Sequence, residues 1–234
     1  MANNFFKFKQ FTIHQERCAM KVGTDGVLIA AWANFDNART ILDVGCGTGL
    51  ISIIAAQRNP YARITGIDID SDAVEQAAQN AYDTKWRERI EIINSDFCLF
   101  DNVRYDVIVS NPPYFTEQIK SPDKSRSIAR SCDTLDYKRL IEKSAEILNE
   151  SGRLSIILPY NYYEEVIEHG INNKLYPERV AKVYPLPDSN VKRVMVELSR
   201  YQKDTVYEDI VIEKSRHNYS DEYIKLTKDF YLKM

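Results

Sequence analysis

The fold is decided in residues 40–49, which read Thr40-Ile-Leu-Asp-Val-Gly-Cys-Gly-Thr-Gly49. The first five residues form a short apolar run that is typical of a buried strand. Gly45, Gly47 and Gly49 follow it, and glycine lets the backbone turn tightly and approach a ligand closely. A helical pattern begins at Leu50. This order predicts a site for an anionic or polar ligand, because amide groups at a helix N-terminus favour such groups.

Strand-like and helical segments alternate beyond that loop. The predicted strands are residues 40–44, 63–68, 90–93, 105–110 and 154–158, and the predicted helices are residues 50–57, 71–82 and 137–148. Such alternation predicts an α/β fold with a mostly parallel sheet and helices on both faces. We expect residues 179–184 and 191–198 to pair antiparallel, because no helix separates them. A short strand at 210–213 and a helix at 221–230 complete the pattern, and Ser71 is a candidate N-cap.

The composition is that of an ordinary globular protein, with 44% hydrophobic and 28% charged residues among 234. A net charge of −3 argues against a protein held to nucleic acid by its overall field. No apolar run approaches the ~18 residues of a membrane helix, and the start lacks the layout of a signal peptide. The cysteines and histidines are scattered, so we expect no metal site, no disulfide framework and a cytoplasmic location.

A second motif, Asn111-Pro-Pro-Tyr114, directly follows the predicted strand at 105–110. It places a planar amide, two stiff residues and an aromatic ring at the mouth of the sheet, where open α/β sheets bind ligands. A proline-rich turn is the simpler interpretation. Together with the glycine loop, the motif instead indicates a site that holds a flat, amino-bearing group while its nitrogen attacks an electrophile.

Each residue of this tetrapeptide has a predicted catalytic role. An amine conjugated to a planar group is a poor nucleophile because its lone pair is delocalised, so acceptors aimed at its N–H bonds would help it to attack. Asn111 Oδ1 and the Pro112 carbonyl are the expected acceptors, and Pro112 and Pro113 stiffen the loop. Tyr114 would stack on the base, which contributes about 1–3 kcal/mol.

The spacing of the glycines distinguishes between two candidate cofactors. A dinucleotide site needs a small residue at the position of Leu50, so that fingerprint fails. The spacing resembles motif I of the seven-stranded, Rossmann-like S-adenosyl-L-methionine-dependent methyltransferases, whose sheet has one antiparallel strand. That resemblance implies that Asp68 binds the ribose, that Asp96 meets the adenine and that Phe97 flanks it. The implied cofactor-binding residues are Lys21, Thr24, Asp25, Asp43, Gly45, Cys46, Gly47, Gly49, Asp68, Ile69, Asp96, Phe97 and Asn111.

Two segments near the termini indicate which family of methyltransferases the chain resembles. Residues 17–26, Arg17-Cys-Ala-Met-Lys-Val-Gly-Thr-Asp-Gly26, and residues 218–223 resemble segments of the bacterial tRNA1(Val) adenine-N6 methyltransferases. Those enzymes modify the adenosine 3′ of the anticodon, at position 37. The resemblance implies that Lys21, Thr24 and Asp25 lie near the cofactor. Alternatively, Thr24 or Asp25 caps a helix that starts there.

Local charge is consistent with tRNA as the partner, bound through its anticodon stem-loop. Residues 1–21 carry 4 − 1 = +3 and residues 120–139 carry 6 − 3 = +3. Phosphate contacts from such residues would make binding salt-sensitive, whereas the simpler interpretation of any single Lys or Arg is a solvated surface. The candidate RNA-binding residues are Lys7, Lys9, Arg17, Lys120, Lys124, Arg126, Arg130, Lys192 and Arg193. Three further residues either line the base pocket or pack a helix start: Tyr160, Tyr162 and Tyr163.

We expect one domain over residues 1–234, with a cap at 1–39, a core at 40–200 and an extension at 201–234. We also expect a monomer that binds no metal and no membrane. The alternative activities are N-methylation of a protein glutamine amide and N6-methylation of adenine in rRNA or DNA. A catalytically silent RNA-binding module and a dinucleotide oxidoreductase are the remaining alternatives.

Overall fold

The computed structural model describes residues 3–101, 104–113 and 136–234. Its centre is an eight-stranded sheet in the order β10-β8-β9-β7-β6-β3-β4-β5. These strands are β3 Thr40–Val44, β4 Arg63–Asp68, β5 Ile90–Asn94, β6 Tyr105–Ser110, β7 Leu148–Pro159, β8 Tyr176–Tyr184, β9 Arg193–Ser199 and β10 Val206–Val211. Two small hairpins join β1 Phe5–Lys7 to β2 Thr12–His14 and β11 Glu213–Ser215 to β12 Asn218–Tyr219.

The strands run parallel except β9, which is antiparallel to both β7 and β8. This confirms the predicted antiparallel pairing of the two late strands. The sheet has one strand more than the seven of the resemblance, because β10 adds to the free edge of β8 in parallel. β3 and β6 are almost wholly buried, since helices cover both faces of the sheet.

The helices are α1 Thr24–Trp32, α2 Leu50–Arg58, α3 Ser71–Tyr82, α4 Tyr137–Ile147, α5 Tyr163–Asn172 and α6 Asp221–Thr227. One-turn helices occupy residues 87–89, 97–99 and 160–162. Within the described ranges, no helix is both long and apolar enough to cross a membrane.

Two hydrophobic clusters cover the two faces of the sheet. The first contains side chains of α1 and α2 and also receives Phe8, Ile13 and Phe230 from the terminal segments. The second contains Leu140 and Ile141 of α4, together with residues of β6, β7 and β9. Residues near both termini therefore share the core that supports the glycine loop.

Local boundaries differ from the prediction at several points. The predicted strand at 210–213 is divided between β10 and β11, and the closing helix α6 ends at Thr227 rather than at residue 230. Asp70, not Ser71, caps α3, because its side chain accepts the N–H of Asp72. Residues 149–152, predicted to end a helix, belong instead to β7. The pairing of β7 with β6 shifts register between Tyr105 and Val107, and such an irregularity accommodates turn-forming residues within a strand.

Candidate active site

The carboxyl ends of neighbouring strands meet at one edge of the sheet. In the register of β3, Val44 lies beside Ile67 of β4 and beside Ser110 of β6. Asp68 directly follows Ile67, and Asn111 directly follows Ser110. The glycine loop, Asp68 and Asn111 therefore start at the same level on adjacent strands, at the edge where open α/β sheets bind ligands.

The glycine loop has a backbone conformation that other residues rarely adopt. Gly45, Gly47 and Gly49 have φ angles of 69°, 52° and 78°. Gly49 also lies close to α3, because a Cβ built on it would be 3.2 Å from the Cβ of Ala77. The N–H of Gly47 donates to Oδ2 of Asp68 at 2.8 Å. The loop and this carboxylate thus form one connected unit.

Asp43 is fully buried next to the glycine loop. Its Oδ2 accepts hydrogen bonds from the N–H and the hydroxyl of Ser52, at 2.9 and 2.7 Å. Its Oδ1 has no hydrogen-bond partner within the described residues. Burial raises the pKa of Asp43 to about 7, although the Ser52 bonds act to lower it. A nearby positive charge would favour the ionised form, so this carboxyl suits a cationic ligand.

The other predicted cofactor residues fall into exposed and buried groups. Ile69 is 58% exposed directly after Asp68. Asp96 caps the one-turn helix at 97–99 by accepting the N–H of Cys98 at 2.8 Å. Phe97 is buried and packs in the second hydrophobic cluster. Cys46 is also buried, and that burial raises the pKa of its thiol. Its N–H donates to the carbonyl of Ile67 and its carbonyl accepts the N–H of Gly49, so its backbone holds the turn of the glycine loop.

Asn111 lies between the end of the sheet and the first helix. The Ser110 hydroxyl donates to the Val44 carbonyl at 2.7 Å, which ties the end of β6 to β3. A Cβ built on Gly26 of α1 would lie 4.0 Å from Nδ2 of Asn111. The α1 backbone therefore packs beside this amide. Of the predicted catalytic tetrapeptide, the described residues are Asn111, Pro112 and Pro113, and Tyr114 lies outside them.

The residues before α1 form a closed loop. The side chain of Lys21 donates to the carbonyl of Gln15, and Oε1 of Gln15 accepts the N–H of Val22 at 2.8 Å. Burial raises the pKa of Cys18, in the middle of this loop, to about 11, and Asp68 is among the charges that contribute. Arg17, in the same segment, pairs with Glu75 of α3, the helix that follows the candidate ribose-binding carboxylate.

The start of α1 does not fit the alternative in which Thr24 or Asp25 caps the helix. Its N-cap is Gly23, and no side chain caps the helix. Capping by Thr24 or Asp25 is therefore wrong. The carboxylate of Asp25 instead accepts the Nε–H of Arg193 at 2.7 Å, because β9 begins at the same edge of the sheet.

The candidate RNA-binding residues have different surroundings. Lys7 and Lys192 are exposed. Lys9 donates to the carbonyls of Lys228 and Met234, and Arg17 pairs with Glu75 at 2.8 Å. Arg193 pairs with Asp25, as described above. Four further candidates lie outside the described residues: Lys120, Lys124, Arg126 and Arg130.

Comparison with known proteins gives consistent matches. The family model described as "Methyltransferase small domain" matches residues 22–174. A tRNA1(Val) (adenine(37)-N6)-methyltransferase of Phocaeicola vulgatus is 48% identical over 235 residues, covering 100% of both chains. One of the same name from Bacteroides fragilis is 42% identical over 238 residues, again covering 100% of both chains.

The chain belongs to the tRNA1(Val) (adenine(37)-N6)-methyltransferase family. It is therefore an enzyme and a methyltransferase, as the sequence motifs predicted. Membership of this family favours that activity over a dinucleotide oxidoreductase and over a noncatalytic RNA-binding module.

Solved structures support the Rossmann-like methyltransferase fold of this family member. A predicted O-methyltransferase from Agrobacterium tumefaciens is 19% identical, with a TM-score of 0.70 over 88% of this chain and 96% of the other. A ribosomal protein L11 methylase from Lactobacillus delbrueckii is 16% identical, with a TM-score of 0.57 over 80% and 83%. At these identities the likeness concerns the fold alone. Within the described part of this methyltransferase, no group of metal-ligating side chains could hold an ion.

Sequence reasoning missed one residue that organises this methyltransferase site. Asn80 of α3 is fully buried, and its Nδ2 donates to the carbonyls of His14 and Thr48, at 2.8 and 2.9 Å. Its Oδ1 accepts the N–H of His14 at 2.9 Å. Asn80 therefore joins the N-terminal segment to the glycine loop. A polar residue among the alanines on the inner face of α3 was the available signal.

Proposed function

We propose that this methyltransferase transfers a methyl group from S-adenosyl-L-methionine to N6 of adenosine 37 of tRNA1(Val). The observation that carries the proposal is the position of Asn111, one strand away from the glycine loop at the same level of the sheet. The full-length relatives named for this reaction support the choice of substrate. We also propose that the enzyme acts as a monomer through one domain and without a metal ion.

The proposed cofactor-binding residues lie at the same edge of the sheet. The glycine loop would hold the methionine part, Asp68 the ribose hydroxyls, and Ile69 and Asp96 the adenine. The buried Oδ1 of Asp43 has no hydrogen-bond partner in the part of the chain that the structure describes, and this supports a cationic cofactor, because a positive charge stabilises the carboxylate. When bound, S-adenosyl-L-methionine supplies an electrophilic methyl group on a positively charged sulfur.

The chain's own residues would prepare the amine. Oδ1 of Asn111 and the carbonyl of Pro112 would accept hydrogen bonds from the two N–H groups of adenine N6. These bonds strengthen as positive charge develops on the nitrogen, so they stabilise the transition state more than the ground state. The proline ring removes the N–H of Pro112, which leaves the loop with acceptors facing the amine.

An unpaired target base suits this site. The amine can reach Asn111 only if the base leaves its stack, and an anticodon loop already presents unpaired bases. The protein's net charge of −3 favours local contacts to one loop of the tRNA over attraction of the tRNA by an overall positive field of the protein.

Labelled methyl transfer to unmodified tRNA tests the proposal. We expect transfer to a tRNA1(Val) transcript, with N6-methyladenosine as the labelled nucleoside, and none to a matched transcript carrying guanosine at position 37. Equal transfer to both transcripts would contradict the position. Transfer only to a glutamine-containing protein would contradict the substrate class while leaving the methyltransferase chemistry in place.

A further inference from the structure

The carboxyl edge of the sheet has two chemically different halves. Asp68 ends β4, and Asp70 and Asp96 follow β4 and β5, on the side assigned to the cofactor. On the other side of Asn111, the edge is formed by the ends of β7 and β8 and the start of β9. This second half carries a cluster of tyrosines and lysines that the proposed cofactor contacts leave unused.

Tyr160 directly follows β7 and lies beyond the level of Asn111 on the same edge of the sheet. Ser110 of β6 pairs with Ile156 of β7, so Tyr160 is three residues farther along the edge than Asn111. At 3.3 Å per residue and 4.8 Å between strands, the two backbones are roughly 11 Å apart. A nucleotide adjoining the target adenosine could span that distance. The Tyr160 N–H donates to the carbonyl of Lys192 at 3.2 Å, which fixes it beside β9.

The rings at this point are already stacked. Tyr160 and Tyr163 have ring centroids 5.9 Å apart and planes inclined by 9°. Nζ of Lys182 lies 5.7 Å from the centroid of the Tyr160 ring. Lys192 is exposed next to them. Aromatic rings beside cations are the combination that binds single-stranded nucleic acid.

Acidic side chains also face this cluster, and they limit its charge. Asp209 lies opposite Lys182 in the pairing of β10 with β8, and Glu164 is exposed in the first turn of α5. Glu208 is already paired with Arg179 at 3.1 Å. The cluster is therefore suited to a base through its rings, with a small number of phosphate contacts.

We propose that Tyr160 and Tyr163 stack with an unpaired base next to the target adenosine, and that Lys182 and Lys192 contact its phosphates. This inference rests on the proposed function, because it extends the RNA contacts of the same site. It assigns RNA binding to the β7–β8–β9 half of the edge and cofactor binding to the β3–β4–β5 half.

The test compares variants of Tyr160 in binding to an anticodon stem-loop RNA, measured by fluorescence anisotropy. Tyr160 also packs partly against the second hydrophobic cluster. Tyr160→Phe therefore keeps the ring, and Tyr160→Leu keeps apolar packing without it. We expect Tyr160→Phe to bind the RNA like wild type. We expect Tyr160→Leu to bind it about 5- to 150-fold more weakly, which corresponds to the loss of one stacked base. The KM for S-adenosyl-L-methionine should not change in either variant.

A matched control lies on the opposite edge of the sheet. Tyr61 is 74% exposed, has Arg39 5.7 Å from its ring centroid and precedes β4. Tyr61→Leu should bind the RNA like wild type. The inference would be overturned if Tyr160→Leu bound the RNA like wild type, or if Tyr61→Leu lost as much RNA affinity as Tyr160→Leu. In either case, methyl transfer to adenosine 37 would still support the proposed function. Wild-type enzyme that neither binds nor methylates the RNA would overturn both.

Discussion

At the scale of single residues, we expect Asp43 to contribute to the pH dependence of stability. Burial raises its pKa from 3.8 to about 7, so the folded state holds this proton more tightly than the unfolded state does. The stabilisation is fully present below about pH 4 and is lost as the pH rises towards 7. The slope of this loss is at most about 1.4 kcal/mol per pH unit.

Asp43→Asn should remove that dependence. We expect the free energy of unfolding of the variant, relative to wild type, to rise between pH 5 and pH 8 in urea titrations without cofactor. Asp106→Asn is the matched control. Although burial alone would raise the pKa of Asp106, hydrogen bonds led by the N–H of Arg39 lower it, so its titration falls below that window. A pH-independent difference for Asp43→Asn would show that the carboxyl is ionised throughout.

At the scale of elements, the N-terminal segment, α3 and the glycine loop are joined by Asn80. Asn80→Ala leaves the carbonyls of His14 and Thr48 and the N–H of His14 without this partner. We expect a loss of about 2–3 kcal/mol in the free energy of unfolding, since buried unsatisfied groups are costly. Cofactor affinity should fall as well, because the loop loses its tie to α3.

Calorimetry with S-adenosyl-L-methionine and urea titration would measure both effects. Gln79→Ala is the neighbouring control, because the Gln79 side chain is exposed and bonds only Asp83 among the described residues. That change should stay within about 0.5 kcal/mol. Asn80→Ala with wild-type cofactor affinity would mean that the loop keeps its shape without α3.

The same scale shows what the sequence can and cannot predict. β3, β4, β6 and α3 have the predicted bounds, because continuous apolar runs and capped helical patterns are local signals. The pairing of Asp25 with Arg193 spans 168 positions, and only the folded sheet brings these residues together. The burial of Phe97 likewise depends on its packing against the second hydrophobic cluster and has no local signal.

At the scale of the whole molecule, cofactor and RNA would approach opposite halves of one sheet edge. The predicted RNA contacts are lysines and arginines that meet phosphates, and such contacts release counterions. Raising salt from about 50 to about 200 mM should therefore weaken tRNA binding strongly and S-adenosyl-L-methionine binding little. Anisotropy for tRNA and calorimetry for the cofactor would measure the two slopes. Equal slopes would contradict this division.

The most direct test of the central claim measures methyl transfer by Asn111→Ala in single turnover with saturating S-adenosyl-L-methionine and tRNA1(Val) transcript. We expect the rate to fall about 10²- to 10³-fold, as for the loss of one preorganised contact, with cofactor affinity retained. Asn149→Ala serves as control, because Asn149 bonds Asp106 at the start of β7, on the opposite edge. A wild-type rate in Asn111→Ala, or a loss explained wholly by cofactor affinity, would contradict the role given to Asn111.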